Sequence, residues 1–361
     1  MLSIRALSDA LIALIADVFN ISKDDVIAAG TTVNLLASSS HHGGDLTTNA
    51  AMTLARLLKY PPRAIAERLV QVLNREPIEK VEIAGPGFIN ITLKKSAWAA
   101  LAERITQDPA AYFKEEAQSK KSSYLIEYVS ANPTGPLHLG HGRNAIIGNV
   151  LARVLAFLGN EVTTEFYIND AGSQMHKLGL SLKARCQQIL GQPGEIPEEG
   201  YLGEYLIEIA QLCLEEHGAT VVHKDTEFFT AYAKTKLIEQ QKQELADYGV
   251  HLDSWFSELS LHKSGAIDNA LATLQEKGFL YESDGALWFK STDFGDDKDR
   301  VIRKKDGSLT YIAPDIAYHA NKFERGAETL IDIVGQDHHG YVLRLKGTLA
   351  ALGYKAENLH V

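Results

Sequence analysis

Residues 124–143 constrain this chain more than any other stretch, because strand chemistry, a hard turn and a helix follow one another within twenty positions. Tyr124, Leu125, Ile126, Tyr128 and Val129 form a short apolar, β-branched and aromatic run that suits a buried parallel strand. Asn132, Pro133, Gly135 and Pro136 then interrupt it with turn residues. From Leu139 the spacing is helical and predicts an inward face of Ile146, Ile147, Val150, Leu151, Val154, Leu155 and Leu158, closed by Gly159. Strand, turn and helix in that order aim a helix N-terminus at the mouth of the turn, where an anion can sit.

Two histidines stand on that mouth. His138 and His141 are three residues apart, so at a helix start their Cβ atoms lie roughly 5–6 Å apart on one side. Gly140 between them has no Cβ and lets a flat ligand approach the backbone. Two imidazoles with free N–H groups would cradle a phosphate without the lysine of a P-loop, whose pattern is absent, as is G-x-G-x-x-G. The same pair also fits a polar helix start, or half a metal site, although the nearest further ligand, His176, is isolated.

At 361 residues the chain is too long for one ordinary core, and two domains are expected. Two cysteines, Cys186 and Cys213, cannot frame a small disulfide fold or a four-ligand zinc site, and reduced thiols in a cytoplasmic protein are expected. The apolar run Ala10–Ala16 is too short to span a membrane; Leu7, Leu11, Leu14, Ile15 and Val18 read as the inner face of an amphipathic helix. A net charge of −10 argues against a general nucleic-acid binder. Residues 1–117 hold 12 Lys/Arg against 13 Asp/Glu, and the remainder 24 against 33, so an RNA contact is more easily placed on the first part.

Residues 1–117 read as a small α+β unit. Ser22–Asp25 marks a helix start, 38–44 a loop carrying His41 and His42, and Leu46–Leu58 and Pro62–Leu73 have helical spacing. Val81–Ala84 and Phe88–Leu93 are strand-like around Gly85-Pro86-Gly87. Asp108–Ser123 reads as a charged linker helix. Residues 118–361 form the second unit, where strand–helix–strand alternation continues through Glu161–Ile168 and implies a parallel sheet with ligands beyond its carboxyl edge. Residues 173–290 are mostly helical and read as an insertion, with Trp255–Glu258 and Ala286–Phe289 as strands within it. Asp293–Arg303 is expected to be a solvated loop, Leu309–Ile312 a strand, Thr329–Val334 the last clear strand and Val342–Leu352 a helix.

His138-Leu139-Gly140-His141 resembles the HIGH signature of class I aminoacyl-tRNA synthetases, with Leu for Ile. The longer string Glu127-Tyr128-Val129-Ser130-Ala131-Asn132-Pro133-Thr134-Gly135-Pro136-Leu137-His138 resembles the bacterial arginyl-tRNA synthetases. Gly44–Asn49 and Ala84–Asn90 resemble that family's extra N-terminal domain, so the likeness covers both units. The resemblance implies an α/β, Rossmann-like catalytic domain with a helical insertion, and a ligase joining arginine to tRNA(Arg) through an arginyl-adenylate. The N-terminal domain is implied to touch the D-loop corner of the tRNA. ATP would enter with Mg²⁺ as a substrate complex. No protein-bound metal, no membrane and a monomeric cytoplasmic enzyme are expected.

The resemblance also assigns residues. His138, Gly140 and His141 would hold ATP, with the two imidazoles stabilising charge on phosphate. Ser130 and Asn132 match residues that hold the α-amino group, and Gln336 aligns near them. Glu258, Tyr311 and Asp315 match the tyrosine and carboxylates that meet the guanidinium, a planar fork answered bidentately by carboxylates. Read alone, Asp315 also fits a helix N-cap and Glu258 a surface strand residue. Glu127 needs a partner in so apolar a strand, for which Arg143 is a candidate. Asp337, His338 and His339 read as structural or ATP-edge residues. The loop of Lys-Met-Ser-Lys-Ser type and a helical anticodon-binding domain do not occur before Val361, which implies the N-terminal portion of a longer enzyme, impaired in turnover. An enzyme activating another carboxylate, or a non-catalytic RNA-binding relative, are the competing readings.

Overall fold

In a computed structural model, residues 4–36, 43–117, 121–335 and 341–361 are described. The chain divides into two compact units, Met1–Ser119 and Lys120–Val361.

The first unit packs helices on a four-stranded antiparallel sheet of order β1-β2-β4-β3 (β1 Val33–Leu35, β2 Leu46–Thr48, β3 Ile78–Ala84, β4 Phe88–Leu93). Leu7, Leu11 and Ile15 of the helix Ile4–Phe19 are buried in its core. Ser22 and Asp25 form a capping box, with the Asp25 N–H 3.0 Å from Ser22 Oγ. Leu46–Thr48, expected to be helical, is strand β2: Leu46 and Thr48 are buried opposite Ile91 and Ile89 of β4, and the helix begins only at Ala50. The turn 85–87 places Gly85 at φ +55° and Gly87 at φ +151°, which explains glycine at both positions. The loop over 38–44, with His41 and His42, lies largely outside the described residues.

The second unit is built on a five-stranded, wholly parallel sheet of order β12-β11-β5-β6-β7 (β5 Ser123–Glu127, β6 Glu161–Ile168, β7 Ser254–Ser257, β11 Thr329–Asp332, β12 Leu359–His360). A second sheet, β10-β9-β8, is antiparallel (β8 Leu280–Ser283, β9 Ala286–Phe289, β10 Arg300–Arg303). Ser254–Ser257 therefore does not belong to an insertion. It is an edge strand of the main sheet, paired to β6 at Phe166–Trp255. Asp293–Arg303 is not a loop throughout: Ser291–Phe294 is a short helix and Arg300–Arg303 is β10. Leu309–Ile312 is not a strand; Leu309 makes one isolated bridge to Arg303, and the helix Ile312–Glu324 starts there, with Pro314 in its first turn where no helical N–H is needed. Helices Ser173–Ile189, Tyr205–His217 and Thr226–Asp247 form a layer whose core includes the buried free thiols Cys186 and Cys213. Among the described residues no helix is long and apolar enough to cross a membrane.

The helix Leu139–Phe157 turns inward only part of the face its large apolar residues predict: Leu151 and Leu155 pack against the core, but the fully buried positions are others. Ala145, Gly148 and Ala152 are buried, whereas Ile146 is 47% and Val150 53% exposed. The reason is distance. A Cβ at Gly148 would lie 2.2 Å from Cγ of Tyr128, so only the smallest side chains fit where this helix crosses the chain leaving β5. Gly148→Ala is accordingly expected to cost about 1–3 kcal/mol by overpacking, against a gain of up to about 1 kcal/mol for Gly142→Ala, whose Cβ meets nothing within 4 Å. Urea unfolding of the two variants beside the parent chain checks this.

Candidate functional site at the carboxyl edge of the parallel sheet

Directly after β5 the backbone bends sharply. Val129 and Ser130 both take positive φ, +69° and +42°, an expensive conformation for a β-branched residue. Asn144, one helical turn beyond His141, holds the bend: its Oδ1 accepts the Val129 N–H at 2.8 Å and its amide donates to the Ile333 carbonyl at 2.6 Å. The bend returns Ser130 Oγ to Glu127 Oε1 at 2.8 Å, and Ser130 Oγ accepts the Tyr167 N–H at 3.1 Å. The following turn is tied to the helical layer. Tyr205 Oη donates to the Thr134 carbonyl at 2.6 Å, and the Gln241 amide donates to the carbonyls of Gly135 and Asn132 at 2.9 and 3.2 Å.

His138 is the N-cap of the next helix. Its Nδ1 accepts the Gly140 N–H at 3.1 Å, while His141 Nδ1 accepts the His138 N–H at 3.2 Å. The rings stack, centroids 3.7 Å apart and 23° between planes. This corrects the sequence expectation of free amides: the histidines themselves consume two of the orphan N–H groups. With both Nδ1 atoms accepting, each neutral ring carries its proton on Nε2, the nitrogen left to donate to a ligand. Burial, and then the neighbouring His138, hold the His141 pKa below its ordinary value.

Asp315 is not an N-cap. Tyr311 occupies that position and Asp315 sits in the first turn of the helix Ile312–Glu324, half-buried, accepting the Tyr341 hydroxyl at 2.5 Å. Burial raises its pKa to about 6; Glu127 and Glu258 add to the rise, and His319 and Tyr341 oppose it. Below it lies a buried charge cluster. Lys322 donates to Glu127 Oε2 at 2.6 Å and Asp332 Oδ1 at 2.7 Å, and His319 Nε2 lies 2.6 Å from Asp332 Oδ2. The partner of Glu127 is thus Lys322, brought from far along the chain, and not Arg143, which is exposed. Burial would raise the Asp332 carboxyl, but Lys322 and His319 overcome that and hold it well below the usual range. Glu127, His319 and Asp332 are close enough to ligate a metal ion, yet the Lys322 ammonium already bonds to two of them and supplies the cation there.

Ser130, Ala131, Asn132, His138, Gly140, His141 and Asp315 line one cleft of about 680 Å³. Glu258 and Tyr311 line a neighbouring depression of about 650 Å³. Glu258 is neither in a strand nor on the surface: it opens the helix Glu258–Ser264 with its side chain 12% exposed, 3.6 Å from His262. Tyr311 is 65% exposed, its ring 5.6 Å from that of Tyr341. Gln336, Asp337, His338 and His339 lie outside the described residues. Sequence reasoning missed Asn144, Tyr167, His319, Lys322 and Tyr341. Only Asn144 carried a signal, the i, i+3 spacing from His141.

The family described as tRNA synthetases class I (R), catalytic domain, matches residues 105–361, and the arginyl tRNA synthetase N terminal domain matches residues 5–93. The chain is 49% identical over 324 residues to an arginine–tRNA ligase of Geobacillus kaustophilus, covering 88% of this chain and 58% of that protein. It is 43% identical over 353 residues to one from Nitratidesulfovibrio vulgaris, covering 96% and 64%. The chain therefore spans about three-fifths of the length of these relatives. A Campylobacter jejuni structure assigned to the arginyl tRNA synthetases superposes with a TM-score of 0.68 at 40% identity, over 74% of this chain and 59% of that one. The arginyl tRNA synthetase of Thermus thermophilus shares the fold, with a TM-score of 0.68 at 22% identity over 99% and 65%. On the match that takes in both sheets of the second unit and the histidine pair, the chain belongs to the arginyl branch of the class I tRNA synthetases.

Proposed function

We propose that this chain carries the amino-acid activating centre of an arginine–tRNA ligase, in which arginine, ATP and tRNA(Arg) give arginyl-tRNA through arginyl-adenylate. The supporting observation is that His138 and His141, each with Nε2 left to donate, line one cleft with the half-buried carboxylate of Asp315. The α-carboxylate of arginine attacks the α-phosphorus of ATP in line, the bond to the bridging oxygen breaks, and pyrophosphate leaves. The residues position the reactants and place donors where phosphate charge develops. Ser130 and Asn132 take the α-amino group, Asp315 with Glu258 and Tyr311 the guanidinium, and Gln336 is kept as a further candidate. Mg²⁺ arrives with ATP and belongs to the substrate. The first unit, near-neutral in charge, is assigned the tRNA D-loop contact, and a cytoplasmic monomer completes the reading.

Calorimetric titration with arginine, lysine and citrulline, with and without ATP, tests it. Arginine alone of the three is expected to bind well, and equal heats for all three would refute the assignment. Asp315→Asn is expected to weaken arginine by at least tenfold, since a charge-assisted contact is worth about 1.5–3 kcal/mol.

The pH dependence follows from the raised Asp315 pKa. Arginine needs the carboxylate, so its affinity is constant above about pH 6 and falls by up to about tenfold per pH unit below that value. Without ligand the trend reverses. The folded state keeps the Asp315 proton to higher pH than the unfolded chain, so this residue's contribution to stability is present below about pH 4 and lost as pH rises through 6.

A further inference from the structure

Tyr167 stands on β6 with its ring 4.4 Å from that of Tyr318 and 6.3 Å from that of Phe256. Its hydroxyl is buried beside the Glu258 carboxylate but forms no hydrogen bond of full geometry among the described residues. That is costly in a folded interior, where hydroxyls are almost always paired. The neighbouring tyrosines of this wall show the contrast: Tyr318 Oη donates to Glu165 at 2.9 Å and Tyr341 Oη to Asp315 at 2.5 Å. Burial first, and then Glu258, Asp315 and Glu127, raise the Tyr167 pKa far above its ordinary value, so the phenol keeps its proton. Tyr167 also lines the cleft that holds Ser130, Asn132 and Asp315, while Glu258, its foremost charged neighbour, lines the depression next to it. The hydroxyl therefore lies among the carboxylates assigned to one cation, with Glu258 beside it to take its proton and its own oxygen left to accept.

We propose that Tyr167 is a specificity-determining residue whose hydroxyl completes the guanidinium subsite, accepting an N–H from the fork with an oxygen lone pair while donating its proton to a carboxylate beside it. Carboxylates alone accept every N–H they meet and would serve any cation of suitable size. A phenol oxygen fixed by ring packing adds a directional acceptor, which a planar fork with several N–H groups satisfies and a compact ammonium does not. The backbone N–H of Tyr167 bonded to Ser130 Oγ places the same residue between the α-amino and side-chain ends of the substrate. This inference rests on the proposed arginine site.

The test is Tyr167→Phe, which keeps the ring contacts and deletes only the hydroxyl. Removing a buried hydroxyl whose contact with Glu258 lacks full hydrogen-bond geometry costs little stability, so the thermal midpoint is expected to stay close to that of the parent. The Kd for arginine and for argininamide is expected to increase by about tenfold or more while that for ATP stays within twofold, and the preference for arginine over lysine to shrink by a similar factor. An arginine Kd within twofold of the parent overturns the inference, as does a parallel loss of ATP affinity and thermal midpoint, which would mark a packing role. A second arm places 3-fluorotyrosine at position 167. Its fluorine resonance is expected to shift on saturation with arginine and not with ATP; an unshifted resonance overturns the inference even if Tyr167→Phe fails to fold. A parent chain that binds no arginine defeats the underlying site assignment instead, a result distinct from either variant outcome.

Discussion

Replacing Lys322 by methionine is expected to destabilise the second unit by about 3–5 kcal/mol, the loss seen when one partner of a buried ion cluster is removed. For a unit of this size that lowers the thermal midpoint by roughly 6–20 °C. The ammonium is wholly buried and bonds to Glu127 and Asp332, so methionine fills the volume but leaves two carboxylates facing each other without a cation. Adding Asp332→Asn to Lys322→Met should recover part of the loss, and a double-mutant cycle by thermal unfolding reads the coupling. Additive losses would show that Lys322 matters by packing alone. The pH profile carries the signature of the same cluster. The folded Asp332 carboxyl is held below its usual range, so its contribution is complete above about pH 4 and is lost as pH falls through the folded value. Burial would lower Lys322, but Asp332 and Glu127 raise it above its ordinary value; its contribution is present below about pH 10 and disappears as pH rises through the folded value.

A second large effect is expected at the histidine pair. His141→Asn retains an acceptor near the position of Nδ1, where the His138 N–H is capped, but loses the outward donor. Single-turnover formation of arginyl-adenylate, with tRNA(Arg) present, should slow by about 10²–10³-fold, the usual result of deleting one oxyanion-type donor. His141→Gln reaches outward with an amide N–H and gives up the cap. It should recover part of the rate at a small cost in stability, about 0.5–2 kcal/mol for a lost cap. Equal losses in the two variants would show that the two nitrogens have no separate tasks.

How much of this could be read from residues alone depends on the distance over which each feature is determined. The strand–turn–helix around 124–143 is local, and its apolar run, prolines and glycines were sufficient to place it. The parallel sheet follows from alternation of elements and is seen in β5, β6 and β11. The inward face of the helix Leu139–Phe157 is legible only in part, at Leu151 and Leu155, because periodicity reports where large apolar residues repeat, whereas close approach to Tyr128 demands small ones. Leu46–Thr48 and Ser254–Ser257 are too short for period alone to separate strand from helix or one sheet from another. The supporting residues of the cleft were invisible for a different reason. Lys322 meets Glu127 across 195 positions and Tyr341 meets Asp315 across 26, and no spacing rule spans such gaps.

Asn144 gives the cleft a further property. One amide grips the chain leaving β5 and the chain leaving β11 at once, so those two exits form a single stiff jaw rather than two independent lips. The 132–135 turn is tied separately, by Gln241 and Tyr205 of the helical layer, so the stiffness of that side of the cleft depends on a different set of bonds.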